Sequence, residues 1–339
     1  MPSSKSTKPK KAGRRAPPTE TVYPQHLLGA ADLSVDQIRA LLSAASTFSK
    51  PVRDGKIIPL LQGKTIVNLF FENSTRTRTS FELATRKLGG NTLNFASSNS
   101  STQKGETLID TARNIAAMRP HCLVVRHASA GSPQILAQTI GLPVVNAGDG
   151  FHEHPTQGLL DVFTMEEKLG SSVKGKRVVI IGDIAHSRVA RSNIYLLNKL
   201  GASVAVCGPP TLLPPEPSVL GVDFAYRPED LLPEADVVMA LRIQLERQNR
   251  MQVPSVAEYA RVWGLNQERA TLLKPETIIL HPGPINRGVE LDPEVADGPR
   301  SVILDQVFNG ILVRMAVLAA VCNPSDLARW VKKNRAKND

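Results

Sequence analysis

The sequence predicts an α/β protein of two similar-sized domains, each a parallel sheet flanked by helices, with the active site in the interdomain cleft. Three observations point there. The chain has 339 residues, room for two domains of ~100–200 residues each. Short apolar runs alternate with amphipathic helical patterns, the mark of βαβ units and a parallel sheet. The alternation runs twice, before and after a long helix predicted over 155–168.

The elements follow in order. Residues 1–20 are rich in Lys, Pro and Ser with little to bury, and read as a disordered basic tail. Ser34 caps a helix predicted over 35–50. TIVNLFF (65–71) reads as a strand and 75–88 as a helix with Phe81, Ala84 and Leu88 on one face. NTLNFA (91–96) is a short strand and 107–118 a helix. CLVVR (122–126) is a strand, 133–139 a helix and PVVNA (143–147) a strand. Pro155 opens the helix over 155–168, with His154 as its cap. The second series has strands over 177–182, 203–207, 237–240 and 277–281, and a helix over 189–200. A final helix is predicted over 305–321, with Val307, Ile311, Met315 and Leu318 at helical spacing. Residues 326–339 read as a basic C-terminal tail.

Composition and charge exclude several functions. Hydrophobic residues make up 42% and charged residues 21%, which excludes a disordered chain, a collagen-like repeat and a disulfide-stapled miniprotein. Aromatics at 4% argue against base stacking as the main activity. Of the net charge of +10, the first fifteen residues carry +6 and the last fourteen +3, so the body is nearly neutral. Nucleic acid is therefore not an expected partner. Cys122, Cys207 and Cys322 are far apart in apolar stretches, as expected for buried thiols in a reducing compartment. The apolar run over 311–322 is broken by Arg314 and too short for a bilayer. No apolar signal-peptide core is visible near the start, so the cytoplasm is expected, with an organellar transit peptide as the alternative.

The sharpest motif is FFENSTRTRTSFE (70–82). A strand ends at Glu72-Asn73 and a helix starts at Ser74 or Thr75, leaving unpaired N–H groups at the positive end of the helix dipole. Ser74, Thr75 and Thr77 add hydroxyls, and Arg76 and Arg78 add guanidiniums, a combination suited to phosphate oxygens. It lacks the Gly-rich loop and Lys of a nucleotide-binding P-loop. Four further stretches put polar groups at strand ends or helix starts. SSNSSTQKGET (97–107) holds Lys104, with Glu106 opening the next helix, and reads equally as a surface loop. VVRH sets Arg126 at a strand's carboxyl end. NAGDGFHEHPTQG sets His154 at a helix start and Gln157 one turn on. IIGDIAHSR sets Arg188 at another helix start but lacks the G-x-G-x-x-G of a dinucleotide site. His152 and His154 have metal-like spacing without a third ligand cluster, so no metal is expected. ALRIQLERQ (240–248) offers Arg242, Gln244 and Arg247. HPGPINRGVEL (281–291) has two prolines around Gly283, a rigid turn with Gly283–Pro284 as a candidate cis bond.

These residues predict a cleft with a phosphate on one wall and a carboxylate-rich partner on the other. No Ser-His-Asp order, carboxylate pair or cysteine nucleophile suggests covalent catalysis. Direct group transfer through positioning and electrostatic stabilisation is the economical mechanism.

On these motifs the chain resembles the catalytic chains of the aspartate carbamoyltransferase (aspartate transcarbamoylase) family over about residues 25–321. STRTR-x-SFE is shared with ornithine carbamoyltransferases. QKGET, GDG-x-x-x-HPTQ, GD-x-x-x-SR, R-x-Q-x-ER and HPGP-x-x-RG favour aspartate, and the S-M-G motif and H-C-L-P turn typical of ornithine enzymes do not occur. The resemblance implies a carbamoyl phosphate-binding domain over 21–154 plus 305–325 and an aspartate-binding domain over 155–304. It implies carbamoyl transfer from carbamoyl phosphate to L-aspartate, the committed step of pyrimidine synthesis, with no cofactor and no metal. Ser74, Thr75, Arg76 and Thr77 would hold the phosphate, and Arg126, His154 and Gln157 the carbamoyl end. Lys104, Arg188, Arg242 and Gln244 would hold aspartate. Arg76, Lys104, Arg126 and His154 form the catalytic set, with Glu72, Ser100, Arg247, Gly283 and Pro284 in support. The resemblance further implies a homotrimer whose Ser100–Lys104 loop enters the neighbour's site, and an association with dihydroorotase or an inactive relative. Two other readings stay open here: a related enzyme using another amine such as ornithine, and a polyanion-binding protein acting through its tails.

Overall fold

The computed structural model describes residues 22–96, 106–243 and 255–335. The first lobe starts with α1 (Val35–Arg53), β1 (Thr65–Phe70), α2 (Thr75–Lys87), β2 (Asn91–Ala96) and α3 (Leu108–Ala117). β3 (Cys122–His127), α4 (Ser132–Ile140) and β4 (Val144–Asp149) follow. Its strands are all parallel, in the order β2-β1-β3-β4. α5 (Pro155–Leu169) leads into the second lobe. There β5 (Arg177–Ile181), α6 (Arg188–Lys199), β6 (Ser203–Cys207), β7 (Asp223–Ala225), β8 (Val237–Ala240) and β9 (Ile278–Leu280) form a parallel sheet in the order β7-β6-β5-β8-β9. α7 (Val256–Trp263), α8 (Gln267–Ala270) and α9 (Pro293–Ala296) decorate it, and α10 (Ile303–Cys322) and α11 (Pro324–Arg335) close the described chain.

Local chemistry explains the frame. Ser34 caps α1 in a reciprocal box, its hydroxyl accepting from Gln37 N–H at 3.2 Å and its own N–H donating to Gln37 Oε1 at 3.0 Å. α1 continues to Arg53, past the predicted end at 50: Pro51 forfeits one i→i−4 hydrogen bond, but Asp54 N–H closes the end on Lys50 O at 3.0 Å and Val52 is buried. β1, β3 and β4 are buried almost end to end because both faces of the sheet are covered. One core packs α1, α5, α6 and α10 against the inner faces of both sheets. Two smaller cores cover the outer faces, under α3 and α4 in the first lobe and around α9 in the second.

Three expectations need correction. The tail from 326 is in large part α11: Leu327 and Val331 are buried, and Trp330 Nε1 donates to Thr47 Oγ1 at 3.1 Å. Its five charges occupy the exposed face and hide the two-residue apolar stripe. The apolar run read over 311–322 belongs to a helix of 20 residues, long and apolar enough to cross a membrane by composition alone. It is instead the core helix that packs on α1, α2 and α5, so it joins the lobes. Finally, Cys122 and Cys207 are buried but Cys322 is only partly so.

The strand order positions the site. In an open parallel sheet, ligands bind outside the carboxyl ends of strands where the strand order reverses. The reversal lies between β1 and β3 in the first sheet and between β5 and β8 in the second. The carboxyl ends of those four strands, and the segments that leave them, carry Glu72–Ser74, Arg126, Gly182–Arg188 and Arg242. The two crevices face one another.

Candidate active site

The first wall is the start of α2. Ser74 is the N-cap, yet its hydroxyl makes no capping hydrogen bond, and the first turn contains no acid. Arg78 N–H donates to Ser74 O at 3.1 Å, closing the first turn. The earlier N–H groups have no intrahelical acceptor and point out of the helix end. Thr77 is buried. The Arg76 guanidinium lies against Gly283, where an added Cβ would come within 3.4 Å of Arg76 Cζ. Burial and the facing Arg242 both lower the pKa of Arg76. Two cations from opposite lobes thus converge.

Arg126 comes from the carboxyl end of β3 and is buried. Its Nη1 donates to Ala147 O at 3.1 Å, and its Nε lies 3.3 Å from Glu72 Oε2. The same Glu72 oxygen accepts from Arg188 Nη2 at 2.9 Å. Arg188, first residue of α6, also donates from Nη1 to Gly150 O at 3.1 Å. Gly148 admits this guanidinium: its φ is +114°, and a Cβ there would come within 2.9 Å of Arg188 Cζ. One carboxylate therefore fixes an arginine from each lobe.

His154 caps α5 and is buried, its N–H donating to Ser192 Oγ at 2.9 Å. Burial, reinforced by Arg126, Arg188 and Arg314, pushes its pKa well below the usual histidine value. The imidazole is neutral at pH 7, and its Nδ1 has no partner among the described residues. Gln157, one turn on, donates from Nε2 to Asp161 Oδ1 at 2.9 Å. The HPGP turn follows β9, with Gly283–Pro284 cis and Gly283 at φ +65°. Its base is rigid: Gly283 N–H donates to His281 Nδ1 at 2.8 Å, and His281 Nε2 lies 3.0 Å from buried Glu290.

These groups line a cleft of about 580 Å³. Among the described residues its lining contains five arginines (76, 126, 188, 242 and 314) and no carboxylate. Such a cavity suits a small ligand of several negative charges. Of the residues singled out from sequence, Ser74, Thr75, Arg76, Thr77, Arg126, His154, Gln157, Arg188, Arg242, Gly283 and Pro284 line it together, with Glu72 bracing two of the arginines. Ser100, Lys104, Gln244 and Arg247 lie outside the described residues. His152 turns from His154 to Asp149, 3.0 Å from its Oδ2. Among the described residues no group of three or more His, Cys, Asp or Glu side chains is placed to hold a metal ion.

Sequence reasoning missed Ser80, Arg314 and Gln306, which also line the cleft. Arg314 Nη1 donates to Ser80 Oγ at 2.9 Å, with its Cζ 5.3 Å from the Phe81 ring centroid. Its signal was present: a lone charge inside the apolar run over 311–322 is rarely unpaired.

The fold and cleft define a two-lobed transferase that binds a phosphorylated donor on one lobe and an anionic acceptor on the other. The chain belongs to the aspartate/ornithine carbamoyltransferase family. Residues 25–167 match its carbamoyl-P binding domain and residues 174–321 its Asp/Orn binding domain. The aspartate carbamoyltransferase catalytic subunit of Desulforudis audaxviator is 54% identical over 295 residues, 87% of this chain and 96% of that protein. The Trypanosoma cruzi aspartate transcarbamoylase, solved with carbamoyl phosphate and aspartate, superposes with a TM-score of 0.80 at 32% identity, covering 90% of this chain and 99% of that one. The same enzyme with N-(phosphonacetyl)-L-aspartic acid gives a TM-score of 0.81 at 33% identity, covering 90% and 98%.

Proposed function

We propose the following division of labour for the reaction this chain catalyses, carbamoyl transfer from carbamoyl phosphate to the α-amino group of L-aspartate. The observation that carries it is the α2 entrance, with its spare hydroxyls and N–H groups, facing arginines of the second lobe across a cleft whose lining, among the described residues, holds no carboxylate. Ser74, Thr75, Arg76 and Thr77 hold the phosphate. Arg126 and His154 donate to the carbamoyl oxygen, and Gln157 meets the carbamoyl nitrogen. Arg188 and Arg242 seat the aspartate carboxylates, joined by Lys104 and Gln244.

The amino nitrogen attacks the carbamoyl carbon, forming the new C–N bond. Negative charge builds on the carbamoyl oxygen as the carbon becomes tetrahedral. Arg126 and neutral His154 are donors already in place there, and each such donor contributes about 3 kcal/mol. Collapse of the tetrahedral carbon breaks its bond to the phosphate oxygen. The departing phosphate takes the proton from the amino nitrogen, giving N-carbamoyl-L-aspartate, which supplies pyrimidine synthesis. A histidine held neutral so far below its usual pKa is a poor base, which favours phosphate as the proton acceptor.

The working unit is a homotrimer in which the segment carrying Ser100 and Lys104 enters a neighbouring cleft. Edge strand β2, which leads into that segment, exposes Leu93, and α3 ends beside exposed Met118, apolar surface of the kind that assembly covers. A dihydroorotase-like chain is the further partner, to be sought by co-elution. A colorimetric assay for carbamoyl-aspartate, run in parallel with ornithine, tests the amine: turnover with aspartate is expected, and turnover with ornithine alone would overturn it. Mixing inactive Lys104→Ala with inactive Arg126→Ala chains restores activity if sites are shared; no recovery after verified subunit exchange contradicts the shared site.

A further inference from the structure

Asp161 lies buried on α5, one turn beyond Gln157. Its carboxylate accepts three amide N–H groups: Gln157 Nε2 at 2.9 Å and Gln306 Nε2 at 2.8 Å on Oδ1, and Asn193 Nδ2 at 2.8 Å on Oδ2. An ionised carboxylate can only accept, so every amide facing it must present its nitrogen. For Gln157, on the cleft lining, this leaves the amide oxygen as the group offered to a ligand. For Gln306 it turns Oε1 to His281 N–H at 2.9 Å, the first residue of the HPGP turn. Asn193 stands on α6, the helix that begins with Arg188, and also donates to Val189 O at 3.0 Å. One carboxylate therefore ties together three elements that surround the cleft. Burial raises its pKa to about 6, opposed by the three amides and Arg314. It is ionised at neutral pH.

We propose that Asp161 is a positioning residue that locks the Gln157 amide with its oxygen towards the cleft, so that the site selects an N–H-bearing acyl group on the phosphate donor. This rests on the reading that Gln157 meets the carbamoyl end. Acetyl phosphate is the probe that separates orientation from mere structure: it carries a methyl group where carbamoyl phosphate carries an amino group of similar size. An inward oxygen accepts from the amino group and finds no donor on the methyl group. A general loosening of the site weakens both ligands alike.

The test is calorimetric titration of full-length Asp161→Ala with each ligand. The alanine removes both carboxylate oxygens, including the Oδ1 that Gln157 and Gln306 share, so no acceptor holds the Gln157 Nε2 and its amide is released to turn. Carbamoyl phosphate affinity is expected to fall about tenfold, a lost hydrogen bond with a group left unpaired. Acetyl phosphate affinity is expected to change less than about twofold. Equal weakening of both, or no change in either, overturns the proposal. Should circular dichroism show Asp161→Ala unfolded, Gln157→Ala carries the test: the preference for carbamoyl over acetyl phosphate must collapse, and a retained preference overturns the proposal. Wild-type protein that binds neither ligand would instead overturn the underlying assignment of Gln157 to the donor.

Discussion

Glu72, Arg126 and Arg188 form the smallest unit in which the two lobes meet. Their side chains are largely buried, and the shared Glu72 oxygen holds one guanidinium from each lobe. Arg126→Ala is expected to lower kcat about 10²–10³-fold, the usual loss for a donor aimed at a developing oxyanion, with unfolding midpoint as the control for fold. Gly283→Ala adds a Cβ against the Arg76 guanidinium at a left-handed φ, so the KM for carbamoyl phosphate should rise in initial-rate assays. Asp161 gives a pH prediction with a definite sign. Its pKa rises from 3.8 to about 6 on folding, so the ionised form costs stability and protonation restores it. Between pH 7 and pH 5 the wild type should gain stability relative to Asp161→Asn, measured by urea unfolding. The motif residues at this scale were legible because hydroxyls and arginines crowd a helix start. Asp161 was not, and Arg314 showed only as an interior charge without a visible partner, because the partners that give them meaning, Gln306 and Ser80, are 145 and 234 residues away in sequence.

At the scale of elements, α2 and α11 show why a helix is more than its periodicity. Ser74 occupies the cap of α2 without capping it through its hydroxyl. An N-cap Ser→Ala change normally costs about 1 kcal/mol. Ser74→Ala should cost less than that in urea unfolding while weakening phosphate inhibition, which separates a ligand donor from a cap. α11 is the opposite case, a helix that looks like tail because five of its twelve residues are charged. Leu327 is fully buried, so Leu327→Ala should cost about 2–5 kcal/mol by denaturant unfolding. The strands over 65–71, 122–126 and 177–182 were readable as apolar runs, since both faces of each sheet are covered. β7 escaped notice because three residues on a half-exposed edge make no pattern. α7 to α9 are short and lie among turns, where propensity alone decides little.

For the molecule as a whole, two open sheets present their reversal points to one another, and α10 returns from the second lobe to pack on α1 and α2 of the first. The cleft collects positive charge because the carbonyl-rich strand ends are followed by helix starts and arginines, while its carboxylates stand behind the lining, paired or hydrogen-bonded. This division assigns one substrate to each lobe and makes catalysis depend on their approach. The alternation of strands and helices made both lobes visible in the sequence. That α10 belongs to the core of both was hidden, because a helix buried nearly all round shows no amphipathic face. The most direct measurement is a crystal structure of the full-length protein with N-(phosphonacetyl)-L-aspartate. The phosphonate should sit on Ser74–Thr77, the carbonyl oxygen beside Arg126 and His154, and the carboxylates against Arg188 and Arg242. A phosphonate bound away from the α2 entrance, or carboxylates that leave both second-lobe arginines without contact, would contradict it.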